Sequence, residues 1–136
     1  MIIKDQIINK TGIPLYKDLL RITSSTQKLT SANIANVSTP GFQAKSVDFK
    51  KEMQAALKKK KINLEVTNPR HIPPVGKPKS IKIITDTENS NASGVNNVDI
   101  DKEMAQLAEN QILYSYGSRM MAKQFNTLRG VIRGRR

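Results

Sequence analysis

Catalysis needs particular side chains held close together, and this sequence offers few of them. Histidine occurs once, as His71, between Arg70 and Pro73. The chain has no cysteine, and no acidic residue sits close by to orient the ring, as a general base requires. Asp99-x-Asp101-x-Glu103 has the look of a calcium loop. It lacks the central glycine and the closing bidentate glutamate of such a loop. Three acids at the start of a helix, where they suit its dipole, are the simpler reading. Gly76 and Gly94 stand alone, so no glycine-rich loop cradles a phosphate. Without cysteine there is neither disulfide nor thiolate chemistry. The expectation is a non-enzyme with no catalytic, cofactor-binding or metal-ligating residues.

Charge is the next candidate for function. The formal net charge is +12 over 136 residues, but it is unevenly spread. Lys50 to Lys82 carries net +8, Asp86 to Glu109 net −5, and Arg119 to Arg136 net +6. A basic nucleic-acid-binding protein is therefore the alternative of a different class. Strand binding usually pairs cations with aromatic platforms. The basic middle has only Phe49, at its edge. Charge alone would bind phosphate non-specifically, and no physiological nucleic-acid partner is expected.

The polar residues that stand out by position are two asparagines. Leu15, Leu19, Ile22, Thr26, Leu29, Asn33 and Asn36 recur at steps of four and three, the a/d stripe of a coiled-coil seam. An amide on such a seam needs a polar partner at its own level, so either Asn33 and Asn36 fix register and choice of neighbour, or Asn36 simply ends the helix and Asn33 faces water. The helix carrying them starts near Pro14, tolerated in a first turn, and closes through Val37 to Gly41. A second stripe is longer: Ile100, Met104, Leu107, Gln111, Tyr114, Ser118, Met121, Phe125, Leu128 and Ile132. Acids at its start and arginines at its end match the helix dipole.

The middle differs in kind. Lys58 to Lys61 reads as a solvated run, Ile62 to Val66 and Ser80 to Thr85 as strands, and Asn89 to Asn97 as a mobile loop. Pro69, Pro73, Pro74 and Pro78 forbid regular helix between the strands. The expected fold is mainly α. N- and C-terminal helices form an antiparallel coiled-coil-like pair, with a small β-rich, partly disordered insertion between them. The divisions fall at 1–46, 47–97 and 98–136. With 38% apolar and 4% aromatic residues the core will be thin. No apolar run approaches the ~18 residues of a spanning helix, and MIIKDQIINK carries Lys4 and Asp5 where a secretory signal would be apolar. Two helices cannot surround each other's seams, so such a pair wants neighbours from other chains.

Asn33-Ile34-Ala35-Asn36-Val37-Ser38-Thr39-Pro40-Gly41-Phe42 resembles the ANNIANxxTPGY/F signature of the bacterial flagellar rod and hook protein family. Three further stretches, in the same order, resemble its proximal-rod members. Ala44 to Phe49 is similar to an ARxxDF continuation, Thr67 to Ile72 to a TxPxHI segment, and Asn96 to Met104 to an NNVDLDxEM helix start. Tyr114 and the ending Phe125 to Arg129 also fall where that family has similar residues. The resemblance covers most of the chain; the Lys58 to Lys61 run departs from it.

The resemblance implies a structural subunit of the proximal rod of the flagellar basal body, with a sibling rod protein as the alternative within the family. It implies a tube that transmits torque and surrounds the export channel. The partners implied are other copies of the chain, other rod proteins, the MS-ring adaptor protein and the flagellar type III export apparatus. The location implied is the periplasmic rod beside the inner-membrane MS ring, reached without a cleaved signal peptide. The expected subunit interface is Leu15, Leu19, Ile22, Leu29, Asn33 and Asn36 on the first helix. On the second it is Ile100, Met104, Leu107, Tyr114, Met121, Phe125, Leu128 and Ile132. The turn at Pro40, Gly41 and Phe42 throws the chain out of the helical layer.

Overall fold

A computed structural model of the chain describes residues 11–58, 80–87 and 96–134. Five elements follow in order: α1 Ile13–Ala35, β1 Lys45–Val47, α2 Phe49–Leu57, β2 Ile83–Thr85 and α3 Ile100–Ile132. The strand expected at Ile62 to Val66, His71, the four prolines and residues 89–95 of the Asn-rich stretch lie outside the described residues, as do Lys59 to Lys61.

α1 begins with Pro14 in its first turn and stops at Asn36, whose backbone N–H bonds back to Ala32 and Asn33 carbonyls. Pro40 follows, then Gly41 at φ +71°, a left-handed conformation that suits glycine. The helix ends where proline and glycine were expected to end it. α3 starts on Asp99, whose Oδ1 accepts from the Asp101 and Lys102 N–H groups at 3.1 and 3.2 Å. Asp101 and Glu103 lie in its first turn and Arg129 in its last. The acids are a helix start, not the beginning of a loop.

The two long helices pack antiparallel. Glu103 meets Asn33, Asn110 meets Thr23, and Gly117 lies against Leu19 and Leu20. α1 has 23 residues and α3 has 33, or roughly 35 and 50 Å at the α-helical rise. With that register the last turns of α3 run on past Ile13.

The ribbon is antiparallel, pairing Lys45 with Thr85, Ser46 with Ile84 and Val47 with Ile83. Its second strand is the later half of the one expected from Ser80. Its first strand was not anticipated, and it crosses the division expected at residue 46. Three residues are too few to show alternation. α2 was not anticipated either. Asp48 caps it by accepting the Lys51 N–H at 2.9 Å, and the Lys51 ammonium lies 2.9 Å from the same carboxylate. These bonds hold the Asp48 carboxyl below its ordinary range.

Among the described residues the buried apolar side chains are Ile13, Leu19, Ile22, Val47 and Val98. The thin core expected from composition is present, and polar side chains do much of the joining. No helix among the described residues is long and apolar enough to cross a membrane.

Candidate assembly interface

Asn33 is the most heavily used side chain on α1, and only 1% of it is exposed. Its Nδ2 donates to the Lys45 carbonyl at 2.9 Å and to Glu103 Oε1 at 2.9 Å. Its Oδ1 accepts the Lys45 N–H at 3.0 Å. A primary amide has the donor and acceptor of a peptide group, so Asn33 pairs with both backbone groups of Lys45 as a strand would. Its spare proton ties α3. The polar partner that seam reasoning demands thus lies inside this chain.

Asn36 does something else. Its Nδ2 donates to the Ala32 carbonyl at 2.7 Å and its Oδ1 accepts from Thr39 Oγ1 at 3.3 Å. It is the residue that closes α1, and among the described residues its side-chain hydrogen bonds go to Ala32 and Thr39 and none to α3. Asn96 completes that end: its Nδ2 reaches the carbonyls of Asn36, Val37 and Thr39 at 3.0, 2.7 and 3.1 Å. Terminal carbonyls of a helix otherwise lack partners. Asn97 Oδ1 accepts the Ala44 N–H and its Nδ2 donates to the Asp86 carbonyl, both at 2.8 Å. These two asparagines were expected in a mobile loop; instead they clasp the Pro-Gly turn and the ribbon to the start of α3. A pair of amides directly before a helix start was the available signal.

The contact between the long helices is also unlike the expected one. On α1 it follows the predicted stripe: Leu19, Ile22, Thr26 and Asn33 are buried, joined by Thr23 and Thr30. Thr23 and Thr26 satisfy their hydroxyls on carbonyls one turn back, at 2.9 and 3.1 Å. On α3 the buried residues are Glu103, Asn110 and Gly117, a heptad row one residue earlier than Met104, Gln111 and Ser118. Asn110 Nδ2 donates to the Thr23 carbonyl at 2.9 Å. Gly117 lets the helices close: a Cβ there would stand 3.1 Å from Leu19 Cδ2. A small and polar row carries the contact because hydrogen bonds and close approach join the helices. A search for apolar periodicity passes over such residues.

The predicted interface residues therefore fall into two sets. Leu19, Ile22 and Asn33 are buried within the chain, while Leu15, Leu29 and Asn36 are half-buried. On α3, Ile100, Met104, Tyr114, Phe125 and Ile132 are exposed, and Leu107, Met121 and Leu128 are half-buried. Pro40 and Gly41 are exposed and Phe42 is half-buried. Ile112, Tyr116 and Val131 add to the exposed apolar surface of α3. Beyond Glu109, α3 carries Arg119, Lys123 and Arg129 and no acid.

A family model described as "Flagella basal body rod protein" matches residues 23–43, the second half of α1 and the Pro-Gly turn. The flagellar basal body rod protein FlgB of Bacillus subtilis is 37% identical over 110 residues, covering 79% of this chain and 82% of that one. FlgB of Buchnera aphidicola is 30% identical over 125 residues, covering 88% and 92%. FlgB of Salmonella typhimurium is 28% identical over 130 residues, covering 90% and 94%. Fold and relatives together define a structural component of the flagellar basal-body rod, of a family that is not one of enzymes. Within that class, the chain belongs to the FlgB family.

Proposed function

We propose that this chain is a subunit of the proximal rod, built into a tube by the packing of its terminal helices against those of neighbouring subunits. One observation carries the reading. α3 spends a small, polar row on α1 and leaves Ile100, Met104, Tyr114, Phe125 and Ile132 on the outside. Each such side chain stabilises an assembly by about 1.5–3 kcal/mol on full burial. In the tube this row meets the helices of other copies and of other rod proteins, and the tube transmits torque and surrounds the export channel. The MS-ring adaptor protein is the partner at the membrane-proximal end. The subunit reaches the periplasm through the flagellar type III export apparatus. No physiological nucleic-acid partner is expected, because the basic middle of the sequence offers only Phe49, at its edge, as an aromatic platform.

The test is location. A tagged chain is expressed in cells lacking their own copy, and purified basal bodies are imaged with the tag labelled. Label at the membrane-proximal end of the rod is expected; label confined to the hook side, or absent from the basal body, contradicts the reading.

A further inference from the structure

The ribbon has two outer edges, and they are treated differently. The Asp86 N–H donates to the Ala44 carbonyl at 2.8 Å, so the peptide groups of that pair point inward. Bonded and unbonded pairs alternate along an antiparallel ladder, which makes Ser46 and Ile84 the next bonded pair. The peptide groups of Lys45, Ile83 and Thr85 therefore point outward. Lys45 obeys this, because its N–H and carbonyl both go to the Asn33 amide. On the other side the N–H and carbonyl groups of Ile83 and Thr85 have no partner among the described residues. One edge is covered by an asparagine and the other is open.

The side chains point the same way. Cross-strand partners share a face of the sheet, so Ile83 lies on the face of Val47. Val47 is 6% exposed and Ile83 is 54% exposed. The ribbon's apolar face is buried at β1 and bare at β2. An open edge beside a bare isoleucine is a template for one more strand.

The sequence carries a segment that fits. Ile62-Asn63-Leu64-Glu65-Val66 alternates apolar and polar residues, so a strand there would hold Ile62, Leu64 and Val66 on one face. Its tethers are long enough. α2 stands beside the start of β2, since Glu52 Oε1 accepts the Lys82 N–H at 3.2 Å. Lys58, which ends α2, lies about 9 Å further along the helix, and residues 59–61 can span about 10 Å. Residues 67–79 lead back to Ser80, and about a dozen residues suffice even for a parallel crossover. Pro69, Pro73, Pro74 and Pro78 all fall in that return and none in the segment, as strand pairing requires.

We propose that the open edge of β2 is the docking place of Ile62 to Val66, which adds a third strand to the ribbon and covers Ile83. A tethered segment outcompetes a strand from another molecule because its effective concentration is on the order of millimolar. With that edge occupied, the ribbon offers neighbouring molecules side chains and no free backbone. The inference does not depend on the rod reading.

Amide exchange on the isotope-labelled full chain, followed by NMR at two protein concentrations, tests it. In a bare two-stranded ribbon the inward N–H of Ile84 is protected, and those of Ile83 and Thr85 are not. A third strand protects all three. The Ile83 and Thr85 amides should exchange at least about tenfold more slowly in the parent than in Leu64→Pro, where proline removes a ladder donor. Ile84, and Gly117 in the helix contact, should exchange alike in both, which shows that the variant is folded. Cross-strand proton contacts from residues 62–66 to Ile83 or Thr85 in the parent give a second reading that needs no variant. If Ile83 and Thr85 exchange fast in the parent and no such contacts are seen, the edge is open and the proposal is overturned. Protection that is lost on dilution would put another molecule's strand on the edge, and that too overturns it.

Discussion

Asn33 stands where a coiled coil would place a leucine, and its amide serves as an extra peptide group for Lys45. Asn33→Leu strips partners from the Lys45 N–H, the Lys45 carbonyl and Glu103 Oε1. Each buried group left unpaired costs about 1–3 kcal/mol, so a loss of roughly 3 kcal/mol or more is expected. Thermal unfolding measures it, and fast amide exchange at Lys45 locates it; a variant as stable as the parent contradicts the assignment. Gly117 is the complementary case, a position set by the absence of a side chain. Gly117→Leu forces a branched side chain into Leu19 and Leu20, which are 3.1 and 3.3 Å from the site of its Cβ. Overpacking of this kind costs about 1–3 kcal/mol. An unchanged melting temperature would mean that the helices do not approach closely there. The sequence marks Asn33 as out of place but does not identify its partners. Glu103 is seventy positions away, and no local spacing rule reaches so far.

Elements were legible in proportion to their length and apolar content. α1 and α3 follow from steps of three and four, and their ends follow from Pro14, Pro40 and Gly41, and from Asp99. The face that α3 turns to α1 was missed by one residue because Glu103, Asn110 and Gly117 do not count as apolar. β1 exists because Asn33 and Asn97 pair with its backbone and with that of Ala44 beside it, which no property of Lys-Ser-Val announces. α2 depends on its cap. The Lys51 N–H, then the Lys51 ammonium, lower the Asp48 pKa against a smaller opposing effect of burial. The folded pKa is the lower one, so the cap stabilises α2 above the unfolded value and is lost as pH falls through the folded value. In an acid titration followed by NMR, the Lys51 amide should move with a midpoint below the ordinary aspartate value of about 3.9. A midpoint at or above that value contradicts the cap. α3 itself should be uneven in a dilute chain. Amides around Asn110 and Gly117, held against α1, should exchange slowly. Those of Val131 and Ile132, whose side chains are 73% and 85% exposed, should exchange fast. Uniform protection along α3 in a proven monomer would show that the hairpin needs no neighbour.

Among the described residues two helices form a hairpin in which α3 turns a small, polar row to α1 and leaves large apolar side chains exposed. That inversion is unfavourable for a solitary domain and suits a subunit whose core is completed by other subunits. The central claim is that the outer row of α3 is the seam between subunits, and Phe125 tests it best. It lies on that row and is 48% exposed in the chain, so Phe125→Asp leaves the hairpin intact. In a tube the same carboxylate would be buried without a partner, at a cost of several kcal/mol, or more than about 100-fold in assembly. Asn126→Asp, exposed and one residue off the row, is the control of equal charge. Incorporation is measured as the amount of each variant in purified basal bodies, relative to the amount exported. The account predicts that Phe125→Asp is exported like the parent and is depleted from basal bodies at least tenfold, while Asn126→Asp incorporates normally. Incorporation of Phe125→Asp at the parental level would contradict it.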